Sequence, residues 1–319
     1  MDVSPSNVPE TPALGQTPRS AKLRWPPIAA IVTGAILAVL VSGSGGAAAV
    51  WGKTVGMFSP RRKSQPSARF SDRDLDGQRP QKQAEILLAR AVNPSDGTQA
   101  EAEAQIRARL DAWHGKLHWD SQLSDLTTIA LNSSDQSVRA SAIEVQLAAY
   151  GLTKNDSTVD ALVLQADSRD HAQKVWALWT LGLMGNRGVQ TERVVQVLSA
   201  HARGSSKEWD EDSRRWAVEG LALVGTTPTI EILLDVMHND RSALVRERAA
   251  CSLAESGMLS HEQRLTAVPQ LIDYSEDPAL DAQTHAWAFQ ALADITRQRL
   301  PNDAGVWRTR YQTSAASVQ

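Results

Sequence analysis

The sequence predicts an all-α fold of stacked helix pairs, and two observations carry this prediction. A helix-forming stretch with an alanine at the same position occurs five times, at intervals of 35, 40, 32 and 39 residues. Four copies have a leucine four residues after the alanine, and three have a glycine eight residues after it. An apolar stretch that is itself suited to a helix precedes each copy. Self-similarity at a period of roughly 20–50 residues is the mark of a solenoid. The copies align on Ala142, Ala177, Ala217, Ala249 and Ala288.

The shared register assigns a role to each position of the repeated helix. In the clearest copy, Val245, Ala249 and Leu253 fall on one helical face and form a stripe for burial. The small residue at the centre lets two helices approach closely. A glycine eight residues after the alanine, at Gly185, Gly225 and Gly257, predicts the helix C-terminus. The five copies are 138–150, 173–185, 213–225, 245–257 and 284–296.

Charged residues recur in the same register and predict a ladder between repeats. In four of the five copies an acidic residue lies seven positions before the alanine, where a carboxylate suits the exposed N–H groups of a helix start, and the fourth copy has Ser242 there. A basic residue lies three positions before it, placed to meet an acid of its own or a neighbouring repeat. Because the pairs recur, we interpret them as structural and expect no catalytic residue among them. The ladder residues are Asp135, Arg139, Asp170, Lys174, Asp210, Arg214, Arg246 and Asp281.

This register, Asp followed by Val-Arg or Lys, then Ala, Leu and Gly, resembles the second helix of HEAT repeats. The resemblance covers residues 120–298 and, more weakly, 80–119. Pro269, inside the last of the preceding stretches, resembles the kinking proline of HEAT first helices. The resemblance implies a right-handed α-α superhelix, a solenoid of the HEAT and armadillo type. The predicted first helices are 123–131, 158–166, 191–201, 229–238 and 261–274.

The repeat domain is expected to span 80–312, with atypical elements at both ends. Residues 81–92 and 99–113 predict an N-terminal helical hairpin, with its turn at 93–97. Residues 300–312 predict a short terminal helix, capped by Asn302 or Asp303, that covers the last repeat with Trp307 and Tyr311. Residues 313–319 are predicted to form a frayed tail.

The N-terminal region predicts a membrane anchor. Residues 1–24 are rich in Pro, Ser and Thr and predict a disordered tail. Residues 25–51 carry no charge, and Trp25 and Trp51 flank the segment as interfacial aromatics do. A helix over 28–50 would be roughly 34 Å long, enough for a bilayer core of about 30 Å. We therefore expect one transmembrane helix or signal anchor, followed by a linker at 52–79.

The same segment leaves two questions open. A basic start, an apolar run at 28–41 and small residues at 47–49 also fit a cleaved signal sequence, although we favour a retained anchor. The basic residues after the segment outnumber those before it, which favours a cytoplasmic repeat domain. The signal-like order favours the opposite side. We expect a single-pass protein of the cell membrane with an extracytoplasmic repeat domain.

Composition excludes several classes of function. The net charge is −3, so no global basic field indicates nucleic-acid binding. The single cysteine, Cys251, excludes an internal disulfide and is predicted to pack as a small hydrophobic residue. His114 and His118 have a metal-binding spacing, but Gly115 is predicted to interrupt their helix. We predict no metal, no cofactor and no catalytic residue.

Tryptophan is the one residue type that suggests a functional surface. Trp176, Trp216 and Trp287 each lie one position before a reference alanine, and Trp179 lies one turn beyond Trp176. Repeat stacking would place the register-matched rings in a row. The row is either an aromatic strip that binds a partner or packing between repeats, and we favour packing.

The predicted function is a membrane-anchored, non-enzymatic scaffold. HEAT-like proteins mostly bind proteins, so the resemblance implies that the concave face of the second helices holds a protein partner. The alternative is an enzyme or lyase-type subunit with a site on the same face, because bilin lyases and certain DNA glycosylases are built on HEAT-like repeats. A purely structural envelope protein is a third possibility.

Overall fold

The computed structural model describes residues 75–93, 98–204 and 210–316. The predicted tail 1–24, the predicted membrane segment 25–51 and linker residues 52–74 lie outside the described residues, as does most of the predicted turn at 93–97. Among the described residues, no helix combines the length and the apolar character needed to cross a membrane.

The described residues form fourteen α-helices and no strand, and the helices pack in neighbouring pairs as in a helical solenoid. This confirms the all-α class and every predicted repeat helix to within a few residues. The helices are α1 Pro80–Ala91, α2 Gln99–Trp113, α3 Ser121–Leu131, α4 Gln136–Ala149, α5 Asp156–Ala166, α6 His171–Asn186, α7 Thr191–Ala202, α8 Glu211–Val224, α9 Thr227–Asn239, α10 Ala243–Ala254, α11 His261–Leu265, α12 Val268–Tyr274, α13 Ala282–Thr296 and α14 Ala304–Ala316.

The second helices of the repeats, α4, α6, α8, α10 and α13, all start in the same way. A side-chain oxygen of the preceding residue accepts a hydrogen bond from a backbone N–H in the first turn. Such a cap satisfies a donor that the helix itself leaves without a partner. The five reference alanines are all fully buried. The capping residues are Asp135, Asp170, Asp210, Ser242 and Asp281.

Two of the three predicted helix-ending glycines end a helix. Gly225 is the left-handed C-cap of α8, with φ of +66°, and Gly257 follows α10 with φ of +76°. Gly185 is different, because α6 continues to Asn186 and the chain turns at Gly188 instead. A Cβ atom at Gly185 would lie 2.9 Å from Cγ1 of Val194. The glycine at this position therefore serves close packing inside the helix.

The first helix of the fifth repeat is broken next to Pro269. Residues 266–267 separate α11 from α12, and Pro269 lies in the first turn of α12. Proline has no backbone N–H, but N–H groups in the first turn make no hydrogen bond within the helix, so the helix loses none here. Arg264 of α11 holds the break in place. Its guanidinium donates to the carbonyl oxygens of five residues around the end of α10, at distances of 2.7–3.2 Å, and so caps that helix. The five residues are Ser252, Leu253, Glu255, Ser256 and Leu259.

A terminal helix closes the repeat array. Asp303 accepts a hydrogen bond from the backbone N–H of Val306, and the buried Trp307 donates from its indole to the Pro301 carbonyl. The helix packs on α12 and continues to Ala316, which lies within the range 313–319 predicted as a frayed tail.

The stacking of second helices is interrupted between α4 and α6. Within the described residues α6, α8, α10 and α13 pack side by side in succession, and α4 packs on α2 and α3. The α4–α6 contacts run in opposite directions along the two helices. Tyr150, at the end of α4, meets Trp176 near the start of α6, while Glu144 meets Arg187 at the end of α6. Helix α4 therefore crosses α6 instead of lying beside it in parallel register.

Candidate interaction surface

The predicted tryptophans lie on one face of the second helices, which we call the tryptophan face. It consists of Trp176 and Trp179 on α6, Trp216 on α8, Arg248 on α10 and Trp287 on α13. Trp176 is 6% exposed, whereas the other members of the face are half-buried. The face therefore packs its inner edges into the core and keeps its outer edges in contact with solvent.

Two of these rings form a pair between neighbouring repeats. The centroids of Trp179 and Trp216 are 5.8 Å apart at an interplanar angle of 83°, an edge-to-face geometry that aromatic pairs favour. The guanidinium carbon of Arg215 lies 5.6 Å from the Trp216 ring centroid, within cation–π range. Arg215 is held by an ion pair of 3.0 Å with Asp212. The result is a half-exposed platform of two indoles and one cation.

Trp176 belongs to a different environment, although it shares the register of Trp216. Its ring lies 5.9 Å from that of Tyr150, which in turn lies 5.2 Å from Trp119. Burial raises the pKa of Tyr150 well above its ordinary value. The three rings form a packed cluster at the crossing of α4 and α6, apart from the Trp179–Trp216 platform.

Arg248 occupies the register position between Trp216 and Trp287. Its Nε lies 3.2 Å from a carboxylate oxygen of Glu219, and this carboxylate raises the pKa of Arg248. Its Nη1 lies 4.0 Å from Sγ of Cys251. Cys251 was predicted to be a core residue, but it is half-buried beside this charged pair, and desolvation raises its pKa. The thiol therefore borders the tryptophan face.

Three basic residues of the ladder reach acids that belong to the following repeat. Lys174 Nζ lies 3.9 Å from Asp210, and Arg246 pairs with Asp281. Arg214 instead makes a two-point pair with Asp240, at 2.7 and 3.1 Å, and both side chains are almost fully buried. Asp240 lies two residues before Ser242, which replaces the acid of that repeat.

Two further ladder residues act within their own repeat. Arg139 donates a hydrogen bond to the carbonyl of Ser133. Burial lowers the pKa of Arg139, and the nearby charge of Asp135 partly offsets this decrease. Asp170 caps α6 by accepting from the backbone N–H of Gln173 and also from its side-chain amide. Neither residue makes a described ion pair with the next repeat.

A cavity of about 430 Å³ opens between the first helices α9 and α12. His238 lies within 2.8 Å of both Asn239 and Asp277, and these hydrogen bonds raise its pKa. Burial raises the pKa of Tyr274 to about 12. The residues that line the cavity are Glu231, Leu234, Asp235, His238, Asn239, Gln270, Tyr274 and Asp277.

The sequence held a signal for part of this cavity that the repeat alignment did not use. His238 and Asp277 each lie eleven positions before a reference alanine, so they occupy the same register of consecutive repeats. Extending the alignment into the first helices would have paired them. Two more pairs of lining residues share a register in the same way. Asp235 and Tyr274 lie fourteen positions before those alanines, and Glu231 and Gln270 lie eighteen positions before them.

The histidines considered for metal binding lie at the end of α2. His114 follows the last residue of the helix, and Gly115 has φ of +67°, so the helix ends as predicted. The described residues contain no group of three or more His, Cys, Asp or Glu placed to hold a metal ion.

Comparison with known proteins gives no functional information. No protein-family model and no curated protein matches the sequence. Among solved structures, the chain is similar to an engineered protein determined by the Northeast Structural Genomics Consortium, at 17% identity and a TM-score of 0.31. The alignment covers 67% of this chain and 96% of the engineered protein. At this TM-score the similarity establishes neither fold nor function.

Proposed function

We propose that the protein is a membrane-anchored scaffold of HEAT-like repeats that holds a partner protein on its tryptophan face. The observation that carries the proposal is the platform of Trp179, Trp216 and Arg215. Tryptophan and arginine are the residues most enriched at the energetic centres of protein interfaces. Here they stand half-exposed on adjacent second helices, the elements that line the concave face of a HEAT-like superhelix.

The anchoring part of the proposal rests on residues 25–51, whose uncharged length suits one membrane crossing. The repeats would then present the tryptophan face close to the membrane, on the extracytoplasmic side. The net charge of −3 favours a protein partner over nucleic acid.

An enzyme with a site on the same face is the alternative, and the charges there do not favour it. Glu219 is paired with Arg248, and Asp212 is paired with Arg215. The described cavity with several titratable groups lies between first helices, away from the tryptophan face. A non-enzymatic scaffold therefore accounts better for the arrangement of these residues.

Proximity labelling of the full-length protein in its native membrane tests the proposal, with labelling enzymes placed on either side. We expect a small set of proteins to be enriched on the extracytoplasmic side. Trp216→Ala should reduce this enrichment by roughly tenfold or more, as loss of an interface hot spot does. Leu164→Ala is the matched control, because Leu164 is a large side chain, 77% exposed, on first helix α5.

Urea unfolding of the purified variants separates binding from folding. Enrichment that is lost in Trp216→Ala while the unfolding midpoint is kept supports the scaffold. Enrichment that is equal in both variants and the native protein, or that is absent throughout, rejects the tryptophan face as a binding surface.

A further inference from the structure

The two halves of the tryptophan face differ in charge. Six residues after the reference alanine, α6 and α8 carry Leu183 and Leu223, which are 0% and 4% exposed. The same position holds Glu255 at the end of α10, which is exposed, and Asp294 on α13, which is half-buried. Because the other two repeats bury an apolar side chain at this position, packing between repeats does not explain the two carboxylates.

These two carboxylates lie close together with little compensation. Burial, and then the negative charge of Glu255, raise the pKa of Asp294, and a hydrogen bond with Gln290 opposes this rise. Neither carboxylate makes an ion pair with a residue that the structure describes. Arg264 is near enough to be influenced by Glu255, but its guanidinium donates to backbone carbonyl groups. Mutual repulsion of the two carboxylates therefore opposes folding.

A third carboxylate extends the patch along α10. Glu247, Cys251 and Glu255 are spaced four positions apart and follow one side of the helix to its end. Burial raises the pKa of the Cys251 thiol, and the charges of Glu247, Glu219 and Glu255 add to this effect. Arg248 opposes it, but Arg248 is already paired with Glu219. The carboxylates therefore surround the thiol and outnumber the cation beside it.

An indole ring borders these carboxylates. Trp287 is half-buried and lies seven positions, or two helical turns, before Asp294 on the same side of α13. Its neighbour in register on α10 is Arg248, which directly follows Glu247. We call Glu247, Glu255 and Asp294 the acidic corner. A ring beside carboxylates suits a guanidinium, because the ring attracts the cation and the carboxylates accept its hydrogen bonds.

We infer that the tryptophan face binds a basic segment of the partner protein, with arginine or lysine side chains on the acidic corner and an apolar side chain on the Trp179–Trp216 platform. This inference rests on the proposed scaffold function and assigns the chemistry of the partner. Charge complementarity selects the segment, because the acidic corner repels an acidic one and attracts a basic one.

The layout of the face sets the spacing within such a segment. Helices α8, α10 and α13 pack side by side, and neighbouring helices are about 8–10 Å apart, so Trp216 and Trp287 are separated by roughly 16–20 Å. An extended chain advances about 3.3 Å per residue. The apolar side chain and the basic side chains are therefore about five or six residues apart in the partner.

A labelled synthetic peptide measures this binding directly. It carries one tryptophan, a spacer of about five Gly and Ser residues, and several arginines. Its fluorescence anisotropy is followed while full-length protein in a neutral detergent is added. We expect saturable binding that weakens as salt is raised, because salt screens exposed charges. A peptide with glutamates in place of the arginines should not bind.

Glu255→Gln/Asp294→Asn removes two charges of the acidic corner with little change in shape. It should weaken binding of the arginine peptide roughly three- to tenfold, as expected for the loss of two partly exposed ion pairs. Urea unfolding should show an unchanged or higher midpoint, because the repulsion between the two carboxylates is gone. Asp125→Asn/Glu192→Gln is the matched control, since it removes the same charge from two exposed positions on first helices α3 and α7.

Two results of the titration would overturn the inference. One is equal affinity of the parent protein and Glu255→Gln/Asp294→Asn, or equal weakening in the control. The other is binding that appears only after Arg61, Arg62 and Lys63 are replaced by serine, because the basic segment of the chain itself would then occupy the face.

Proximity labelling with the same variants separates this inference from the proposed function. Enrichment that is lost in Trp216→Ala but kept in Glu255→Gln/Asp294→Asn would support the scaffold and overturn the basic segment. Enrichment that is absent in every protein would reject the scaffold, and the peptide titration would still decide whether the acidic corner binds cations.

Discussion

Two interfaces between second helices, α6 with α8 and α4 with α6, carry different residues at the same two positions of the repeat. At the first, Gly182 and Gly220 bring the backbones together so closely that a Cβ atom at Gly182 would lie 2.5 Å from the Gly220 carbonyl oxygen. At the second, the corresponding positions hold Leu147 and Thr180. Rings of Tyr150 and Trp176 bridge the gap there.

The two interfaces differ at two positions of the repeat. Glycine at both allows parallel stacking with backbone contact, which favours close packing of the flanking side chains. At the crossing of α4 and α6 these two positions hold the larger Leu147 and Thr180. The later repeats form one stacked body, and the side chains of Gln136, Glu144 and Tyr150 on α4 contact it. The following predictions compare changes inside this tightly stacked body with changes at its exposed contacts.

The largest effect is expected at the buried ion pair within the stacked body. Arg214→Ala leaves the Asp240 carboxylate buried without its partner and should lower the free energy of unfolding by about 3–5 kcal/mol. Urea denaturation measures this loss. Arg193→Ala is the control, because both side chains of its pair with Asp160 are about half-exposed, and it should change stability by no more than about 1 kcal/mol. Equal losses would show that burial of the pair does not matter.

A smaller loss is expected from the tightest helix contact. Gly182→Ala must push α6 away from α8, because the atom it meets is backbone and cannot rotate aside. Overpacking of this kind costs about 1–3 kcal/mol, again measured by urea denaturation. Gly305→Ala, whose new Cβ meets only the side chain of Asp303 at 3.1 Å, should be neutral or nearly so. A neutral Gly182→Ala would mean that the two glycines do not set the helix spacing.

The smallest effect concerns pH at the contact between α9 and the turn before α13. Hydrogen bonds with Asn239 and Asp277 raise the pKa of His238 above its ordinary 6.5. Because the folded-state pKa is the higher one, the stabilisation is complete below pH 6.5 and is lost as pH rises through the raised pKa. The gain is expected to be at most about 1 kcal/mol.

Unfolding in urea at several pH values from 5.5 to 9 measures this dependence, with His238→Gln as the comparison. The variant should match the native protein at the alkaline end and fall below it at the acid end. If the native protein exceeds the variant in stability most at alkaline pH, the direction of the pKa shift of His238 is contradicted.

Local patterns made much of this fold predictable from the sequence. The alanine register, the capping aspartates and Pro269 each act within one helix or one turn, so their spacing alone locates α4, α6, α8, α10 and α13. Asp303 and Trp307 predicted the terminal helix for the same reason.

The features that escaped prediction depend on residues far apart in the chain. Gly185 resembles a helix-ending glycine, and only the positions of Val194 and Val224 reveal its packing role. The crossing of α4 brings Tyr150 to Trp176 and Glu144 to Arg187 on another repeat, and the Gln136–Met258 contact joins residues 122 positions apart. Of the candidate site, the sequence located the tryptophans but not which rings pair. The cavity at His238 was missed because the alignment stopped at the second helices.

The ladder gives the chain a direction. A base in one repeat reaches an acid just before the second helix of the next, whereas the capping acids also bind their own helix. Loss of repeats from the N-terminal side leaves Asp210 and Asp281 in use as helix caps, and only Asp240 would lose its partner. Loss from the C-terminal side leaves Lys174, Arg214 or Arg246 as a largely buried cation without its acid. As the chain emerges during synthesis, each finished repeat is therefore incomplete until the next one arrives.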